Sequence, residues 1–328
     1  MWAPFFVSLW RRDCPQIATH PQIAIWRQSR GALTRESRVM EMLDGPFIGS
    51  EAIHNGAIRK HELRSRYRAE FPDVYVRRGA VLTLPQRARA AWLYSHRQGV
   101  IAGLTASALH GAKWVDDHLP IELIWSNARR PRGLRTYDMR LRAGELAEYG
   151  QMRITTVERT AFDIGRRGRL DDAVARLDAL GNATGFKADD VLAVADRHRG
   201  VRGLRQLRAA LDLYDPGAES PKETWLRLLV IRAGYPRPQT QIPVLSPDGR
   251  RWYYLDMGWE DIKLAAEYDG EQHRVNPVQY AHDIQRSEDL DFLGWTRIRV
   301  VKANRSADVL RRLSRAWHSK LPGDRNIS

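Results

Sequence analysis

Two short segments near the C-terminus each alternate like a β-strand and carry acidic residues near their ends. In residues 251–257, every second side chain points to the same side, so Asp256 shares a face with two aromatic residues. In residues 262–269, the same alternation puts Glu267 and Asp269 on one face. Two adjacent strands would bring the three carboxylates together, and this pairing constrains the fold more than any other feature.

A tight turn at Glu260 and Asp261 would make the two segments a hairpin. In that hairpin Asp256 is expected opposite Ala265 and diagonal to Glu267, where neighbours lie roughly 7–8 Å apart. Carboxylates gathered on one face repel each other unless a cation lies among them, and hard divalent ions prefer oxygen ligands of this kind. The pattern predicts a metal-dependent phosphodiesterase site. The predicted ligands of Mg²⁺ or Mn²⁺ are Asp256, Glu267 and Asp269.

The order Asp, eleven positions, then Glu-x-Asp-Gly-x-x-His runs from Asp256 to His273. This pattern resembles the PD-(D/E)xK nuclease superfamily, in the branch around the very-short-patch-repair endonuclease. Residues 219–227 resemble the first helix of that branch and residues 283–300 its closing helix and strand. The resemblance covers residues 215–318 and implies a restriction-endonuclease-like α/β domain.

The chain departs from the superfamily pattern at one position. The lysine expected two positions after Glu267 is Asp269. Similar branch members also lack this lysine and carry a histidine nearby, so the resemblance implies that His273 replaces it. The predicted catalytic residues are Asp256, Glu267, Asp269, His273 and Glu223.

The candidate residues also have structural interpretations: Asp256 fits an ordinary acid at a strand end, and Asp269 with Gly270 fits an ordinary turn. Glu223 follows Ser220 by three positions and fits a capping box, yet it also leads the inward face of its helix, where it would act as a metal-water ligand. His273 either protonates the leaving group and orients water or simply faces solvent. Arg286 either contacts phosphate or belongs to a solvated helix face.

Positive charge is concentrated in the N-terminal third of the chain. The 328 residues carry a formal net charge of +14, and residues 1–97 hold 16 Lys and Arg against 8 Asp and Glu. A basic surface of this kind suits a polyanion such as DNA, because neutralised phosphates release counterions. A solvated basic surface without a partner is the alternative.

The order of predicted elements in residues 44–98 is that of a winged helix-turn-helix. A helix begins near Ser50, a turn follows at Asn55, a second helix spans 59–66, and a short strand at 74–76 leads into two arginines. In such folds a helix enters the major groove and the wing contacts phosphate. The candidate DNA contacts are Arg59, Lys60, Arg64, Arg66, Arg68, Arg77 and Arg78.

Three segments, residues 75–79, 101–111 and 154–161, are similar to AbiEi-type antitoxins. In those proteins a winged helix precedes a small α/β domain, and the resemblance spans residues 45–168. It implies DNA binding, often at the protein's own promoter, and a toxin partner in phage-defence or toxin–antitoxin pairs. It carries over no catalytic residue.

The sequence predicts a multidomain protein of the α+β or α/β class. Three helices at 170–180, 187–197 and 204–213, separated by glycines, form a helical connector, with His198 at its surface. The expected divisions are a mobile leader at 1–43, the winged helix-turn-helix at 44–98, the antitoxin-like α/β domain at 99–168, the helical connector at 169–214, the nuclease-like domain at 215–318 and a tail at 319–328.

Cys14 is the single cysteine, so no intramolecular disulfide or thiolate zinc site is expected, which favours the cytoplasm. The apolar opening is too short to span a bilayer, and no basic amphipathic helix suggests a membrane partner. Two functions remain open: a DNA-directed, Mg²⁺-dependent endonuclease in defence or repair, or an antitoxin-like transcriptional regulator whose nuclease fold is inactive.

Overall fold

The structure, a computed structural model, describes residues 43–126, 131–270 and 277–320. Within these residues the chain forms eleven helices and twelve strands, and the strands make three separate sheets. The protein is therefore a mixed α/β protein with several layers. Nearly all of the predicted leader 1–43 and most of the predicted tail 319–328 lie outside the described residues. No helix in the described ranges is both long and apolar enough to cross a membrane.

The first sheet has the strand order β1-β3-β2, and all of its pairs are antiparallel. Strand β2, at Tyr67–Phe71, was not predicted from the sequence. The elements of this first unit are β1 Phe47–Ile48, α1 Gly49–His54, α2 Lys60–Arg66, β2 Tyr67–Phe71, β3 Val74–Arg77 and α3 Leu84–Tyr94.

Asp73, in the turn between β2 and β3, fixes α1 against the hairpin. Its carboxylate accepts the Ser50 N–H at 3.0 Å and the Ser50 hydroxyl at 2.5 Å. Ser50 therefore does not cap the helix: α1 begins at Gly49, with Ile48 at the N-cap position. The serine hydroxyl is used for a tertiary contact, which local sequence reasoning could not anticipate.

The second sheet has five strands in the order β6-β5-β4-β8-β7. The pairs β5–β6 and β4–β8 are parallel, and the other two are antiparallel. The elements of this second unit are β4 Val100–Ile101, α4 Gly103–Leu109, β5 Ile121–Ile124, β6 Leu134–Tyr137, β7 Leu146–Tyr149, β8 Met152–Thr155 and α5 Val157–Gly165.

Helix α3 belongs to the cores of both units. It contacts all three strands of the first sheet and also β4 and β5 of the second. One cluster of buried side chains joins Phe71 and Val74 of the first sheet to Leu123 and Ile154 of the second, through Trp92 and its neighbours in α3. The division predicted after residue 98 therefore falls beside a helix that both units need.

Three helices follow the second sheet. They are α6 Leu170–Thr184, α7 Ala188–Arg197 and α8 Leu204–Leu213. Helix α6 is longer than predicted, because Gly181 lies inside it instead of ending it. The Tyr214 ring packs against Gly181 so closely that a Cβ there would lie 2.1 Å from the hydroxyl oxygen. The helix ends at Gly185, whose φ of 67° is in the left-handed region that glycine favours.

Buried charges connect these helices to the second sheet. Arg159 of α5 donates to Glu145 at 2.5 Å and to Asp163 at 2.9 Å, and all three side chains are almost fully buried. The prediction that His198 lies at the surface is wrong. It is 8% exposed, and its Nε2 lies 2.7 Å from Glu145. The local sequence around His198 could not show this partner, because Glu145 is distant in the chain.

The third sheet has the order β12-β11-β10-β9, with β11 and β12 parallel and the other pairs antiparallel. Helix α10 connects the parallel pair. Helices α9 and α11 pack against one face of the sheet, and α10 packs against the other through Leu290. The elements are α9 Pro221–Arg232, β9 Gln239–Leu245, β10 Trp252–Trp259, β11 Leu264–Tyr268, α10 Pro277–Phe292, β12 Thr296–Val300 and α11 Ser306–Lys320.

A second buried ion pair joins the helical connector to the third sheet. Arg227 of α9 is fully buried and donates to the Asp178 carboxylate of α6 at 2.7 Å. Thr224 donates to the same carboxylate oxygen at 2.8 Å, and the backbone N–H of Asp215 donates to the other oxygen at 2.8 Å. Helix α9 therefore belongs to both layers, and it fixes one side of the third sheet.

We expect Arg227→Met to destabilise the protein by about 3–5 kcal/mol, because it leaves the buried Asp178 without its charge partner. The measurement is urea unfolding followed by circular dichroism. Arg232→Ala, on the same helix, is the matched control: its pair with Asp171 is about half exposed, so its loss should cost less than about 1 kcal/mol. Equal effects of the two changes would contradict the role assigned to Arg227.

Candidate functional site

The β10–β11 hairpin has a different register from the predicted one. Gly258, not Asp256, pairs with Ala265. The reason is the turn: it extends to Lys263, whose N–H donates to the Glu260 carbonyl at 3.2 Å and whose φ is 49°. A left-handed lysine is uncommon, so the sequence favoured a shorter turn and an earlier start of the second strand.

The observed register improves the predicted meeting of the carboxylates. Continued by one residue beyond Met257 and Ala266, it puts Asp256 directly opposite Glu267 rather than diagonal to it. The Asp256 carboxylate accepts the backbone N–H of Tyr268 at 2.7 Å. The two acids therefore come from neighbouring strands at the point where the pairing of β10 with β11 ends.

The alternation of β10 is interrupted at Asp256. Leu255 packs in the cluster that contains Leu290 of α10, whereas Met257 packs in the cluster on the side of α9 and α11. Gln241, which the β9 register puts opposite Asp256, has a φ of 49°. This local irregularity allows the Asp256 side chain to bond to β11.

Glu223 takes part in a helix cap and also has a buried side chain. Its N–H donates to the Ser220 hydroxyl at 3.2 Å, and that hydroxyl donates to the Glu223 carboxylate at 2.8 Å, as in a helix cap. The other carboxylate oxygen accepts the Glu219 N–H at 2.9 Å. The side chain is also buried, and it lies close enough to Asp256 to raise the pKa of that residue.

Asp256 is the electrostatically unusual group of this cluster. Its pKa is raised to about 7, chiefly by burial and also by the negative charges of Glu223 and Glu267, against the opposing effects of the Tyr268 N–H and the Arg286 charge. Burial also raises the pKa of Glu223. At neutral pH the Asp256 carboxyl therefore exchanges a proton readily, a property that structural acids seldom have.

Arg286 lies within the cluster instead of on a solvated helix face. Its guanidinium bonds to the Glu267 carboxylate and donates to the Tyr254 carbonyl at 2.9 Å. Its side chain is 29% exposed, so part of it remains accessible to a bound phosphate. Arg286 is therefore held beside the acids and is still partly exposed to solvent.

Arg297 was missed in the sequence, although strand alternation could have found it. It lies 3.8 Å from Glu267, and its guanidinium also donates to the Ser287 hydroxyl at 2.6 Å. Residues 296–300 alternate basic and apolar side chains, and the parallel pairing of β12 with β11 directs the basic ones to the face of Glu267.

Asp269 does not complete a three-carboxylate metal cage. Its carboxylate accepts Arg299 at 2.6 Å, so this acid has its own basic partner, as Glu267 has Arg286. In the part of the chain that the structure describes, no group of three His, Cys, Asp or Glu side chains is arranged to hold a metal ion. His273 lies outside the described residues.

The predicted DNA contacts surround α2 and the β2–β3 hairpin. Arg68 differs from the other six: it is half-buried, pairs with Glu70 and donates to the Ala80 carbonyl at 3.3 Å. Arg78 donates to the Arg64 carbonyl at 2.9 Å, which connects the strand end to the helix. The exposed members of the set are Arg59, Lys60, Arg64, Arg66, Arg77 and Arg78.

No family model matches the chain. Two uncharacterized Mycobacterium tuberculosis proteins, Rv2248 of strain H37Rv and MT2308 of strain CDC 1551, are each 33% identical to it over 142 residues. The match covers 43% of this chain and 52% of each relative, so the chain spans about half the length of the relatives it matches.

The crystal structure of the RV2827C protein from Mycobacterium tuberculosis is a more distant neighbour. It is 14% identical, and the match covers 65% of this chain and 87% of that one, with a TM-score of 0.40. A likeness of this size carries no argument about fold or function.

We expect Asp256→Asn to stabilise the protein at about pH 8 by about 2–4 kcal/mol, and the gain to vanish by about pH 4. The folded-state pKa of about 7 lies above the ordinary value of 3.8, so the wild-type protein loses stability as the pH rises between these values. Asparagine cannot ionise and avoids this loss. Thermal unfolding across the pH range measures the difference.

Asp261→Asn is the control for this experiment. It removes an exposed carboxylate from the β10–β11 turn, away from the cluster, and should change stability by less than about 0.5 kcal/mol at either pH. A gain from Asp256→Asn that is independent of pH would contradict the raised pKa.

Proposed function

We propose that the protein binds DNA and carries a metal-dependent phosphodiesterase site in its third sheet. The observation that carries this proposal is the meeting of Asp256, Glu267 and Glu223, from three different elements, beside Arg286. Structural acids are usually distributed so that each has a base. Here Asp256 is half-buried between two other carboxylates, which costs folding free energy. A functional role for the cluster explains why such an arrangement is kept.

The architecture of residues 215–318 supports the resemblance to PD-(D/E)xK nucleases. A helix precedes a three-stranded antiparallel meander, and a helical crossover returns to a parallel fourth strand. The acids lie where the two central strands, β10 and β11, cease to pair. In that superfamily the acidic pattern from Asp256 to Asp269 belongs to the catalytic centre.

Carboxylate and carbonyl oxygens are the donors that a hard divalent cation such as Mg²⁺ or Mn²⁺ prefers. Asp256 and Glu267 would hold the ion, aided by the Tyr268 carbonyl or, once it leaves Arg299, by Asp269, with Glu223 contacting its water. The raised pKa of Asp256 is the observation that supports this fit, because it reports a carboxylate whose negative charge is not compensated. A bound ion supplies the positive charge that neutralises the phosphate and activates water.

The remaining residues of the site have roles that follow from their positions. Arg286 holds Glu267 in place and offers its exposed part to the phosphate that is cleaved. Burial and acidic neighbours raise the pKa of Asp256, and the positive charge of a bound ion would lower it again and keep the carboxylate ionised. The nuclease resemblance implies that His273, which lies outside the described residues, would protonate the leaving oxygen.

The N-terminal unit would deliver this site to DNA. Its order of one short strand, two helices, a hairpin and a third helix matches a winged helix-turn-helix, with α2 as the candidate for the major groove. The exposed basic residues of α2 and β3 provide the phosphate contacts. Such a protein would act on cytoplasmic DNA, in phage defence or repair.

A second function has its own supporting observation. Glu267 is bonded to Arg286 and Asp269 to Arg299, and the lysine of the nuclease pattern is absent. These pairs neutralise two of the three predicted ligands without a metal. They favour an antitoxin-like transcriptional regulator, with a toxin protein as its partner, whose nuclease fold only binds.

We expect the purified full-length chain to cleave or nick DNA with Mg²⁺ or Mn²⁺ and to be inactive in excess EDTA. Asp256→Asn and Glu267→Gln should each lower the cleavage rate by at least about 100-fold, because they remove a ligand charge without changing side-chain size. Gel assays with duplex, mismatched and single-stranded substrates measure this.

Glu260→Gln is the matched control for cleavage. It removes an exposed carboxylate at the far end of the same hairpin and should leave the rate unchanged. Metal binding by calorimetry without cleavage of any substrate would favour the regulator. The absence of both metal binding and DNA cleavage would exclude the nuclease.

We expect the full-length chain to bind duplex DNA with an affinity that falls steeply with salt. Arg64→Ala should weaken binding and lower the slope of log K against log salt by about 1, because each phosphate contact contributes about one released counterion. Arg311→Ala, an exposed arginine of α11, should leave the slope unchanged. An unchanged slope for Arg64→Ala would remove α2 from the interface.

A further inference from the structure

Two aromatic side chains of β10 are exposed in the part of the strand that pairs with β9 and extends beyond its pairing with β11. Trp252 is 59% exposed and Tyr254 is 56% exposed. They occupy alternate positions and precede Asp256 by four and two residues, so Tyr254 lies about 7 Å along the strand from that acid. Large rings are usually buried in a central strand, so this open pair requires an explanation.

The surrounding packing explains why this face is open. Tyr253, between the two rings, points to the other face, where its hydroxyl donates to Asp289 of α10 at 2.6 Å. On β10, helices α9 and α11 pack against Met257 and Trp259, toward the far end of the strand from the two rings. The rings of Trp252 and Tyr254 lie beyond the reach of these helices.

The neighbouring strand extends the same open face. Leu245 pairs with Trp252 and is 40% exposed, and Pro243 pairs with Tyr254 and is also exposed. Strand β9 is at the edge of its sheet, but Pro243 has no N–H, and a proline in an edge strand disfavours the addition of another strand. An occupant of this face therefore contacts the rings rather than the backbone of the edge.

The charges beside the rings are basic. Arg250 and Arg251 are exposed in the connection that leads into β10. The one acid of that connection, Asp248, is held by the Ser246 hydroxyl at 2.5 Å. The Arg251 guanidinium lies 3.0 Å from His282 Nδ1 and remains exposed. Flat aromatic rings next to exposed positive charge suit unpaired nucleotides, whose bases stack on the rings while their phosphates contact the arginines.

We propose that Trp252 and Tyr254 form a stacking platform for unpaired bases of a DNA strand that enters the acidic site. This proposal rests on the proposed function, because it assigns the substrate class of the same site: single-stranded or locally opened DNA. The platform is small, two rings and two aliphatic neighbours, so it suits two or three bases better than a stable protein interface. It also gives the strand a direction, from Trp252 toward Asp256.

The test is binding of a short fluorescein-labelled oligothymidine to the full-length protein in EDTA, followed by anisotropy. We expect Trp252→Ala and Tyr254→Ala each to weaken binding by about 5-fold to 100-fold, the range for loss of one stacked base. Trp252→Phe should restore part of the affinity. Phe292→Ala, which removes an aromatic side chain that is 80% exposed at the far end of α10, should have no effect.

A second measurement separates stacking from a general loss of charge or fold. The two alanine variants should keep the salt slope of the wild-type protein and bind a hairpin duplex as tightly as it does, because they remove no positive charge. An equal loss for duplex and single strand, an undiminished affinity for oligothymidine, or no binding by the wild-type protein would each overturn the proposal. A change in oligomeric state caused by Trp252→Ala in sedimentation would assign the face to self-association and also overturn it.

The platform and the phosphodiesterase can fail separately. Loss of oligothymidine binding in the alanine variants, combined with no cleavage by the wild-type protein, would keep the platform and remove the nuclease. Cleavage that depends on Asp256 but is indifferent to both rings would keep the nuclease and remove the platform.

Discussion

Arg227 carries a full charge into the interior, and the position of the third sheet depends on the carboxylate that receives it. Asp178 accepts this guanidinium, a threonine hydroxyl and a backbone N–H, so protein groups alone satisfy the carboxylate. Such a contact adds little net stability, but it tolerates almost no displacement, since either partner alone would be a buried unpaired charge. It therefore fixes α9, and with it Glu223, against the helices behind the site.

Of the three predicted acidic ligands in the third sheet, two have arginine partners within the described residues and Asp256 does not. Glu267 and Asp269 have arginines from α10 and β12, whereas Asp256 has a single backbone N–H and two acidic neighbours. The arginines determine where the remaining negative charge concentrates. The nuclease proposal begins from the unbalanced Asp256, whereas the regulator proposal begins from the two acids that arginines already neutralise.

The elements of this fold follow mainly from short-range patterns, and the errors come from long-range contacts. Alternation correctly predicted strands around Asp256 and Glu267, but it could not show that Lys263 adopts a left-handed backbone, so the register was wrong by two positions. His198 looked like a surface residue because the acid that receives it lies 53 positions away. The glycine at position 181 predicted the end of a helix, but the helix continues there, and the Tyr214 ring packs so closely that only a residue without a side chain fits.

Helix α3 serves two sheets at once, with Trp92 and its neighbours filling a core that includes Phe71 on one side and Leu123 on the other. A helix used in this way cannot be assigned to either neighbour. Recombination that separates the first two units would leave an apolar face on at least one product, whichever side kept the helix. The first two units therefore share one core, and a cut between them exposes apolar surface on whichever product loses the helix.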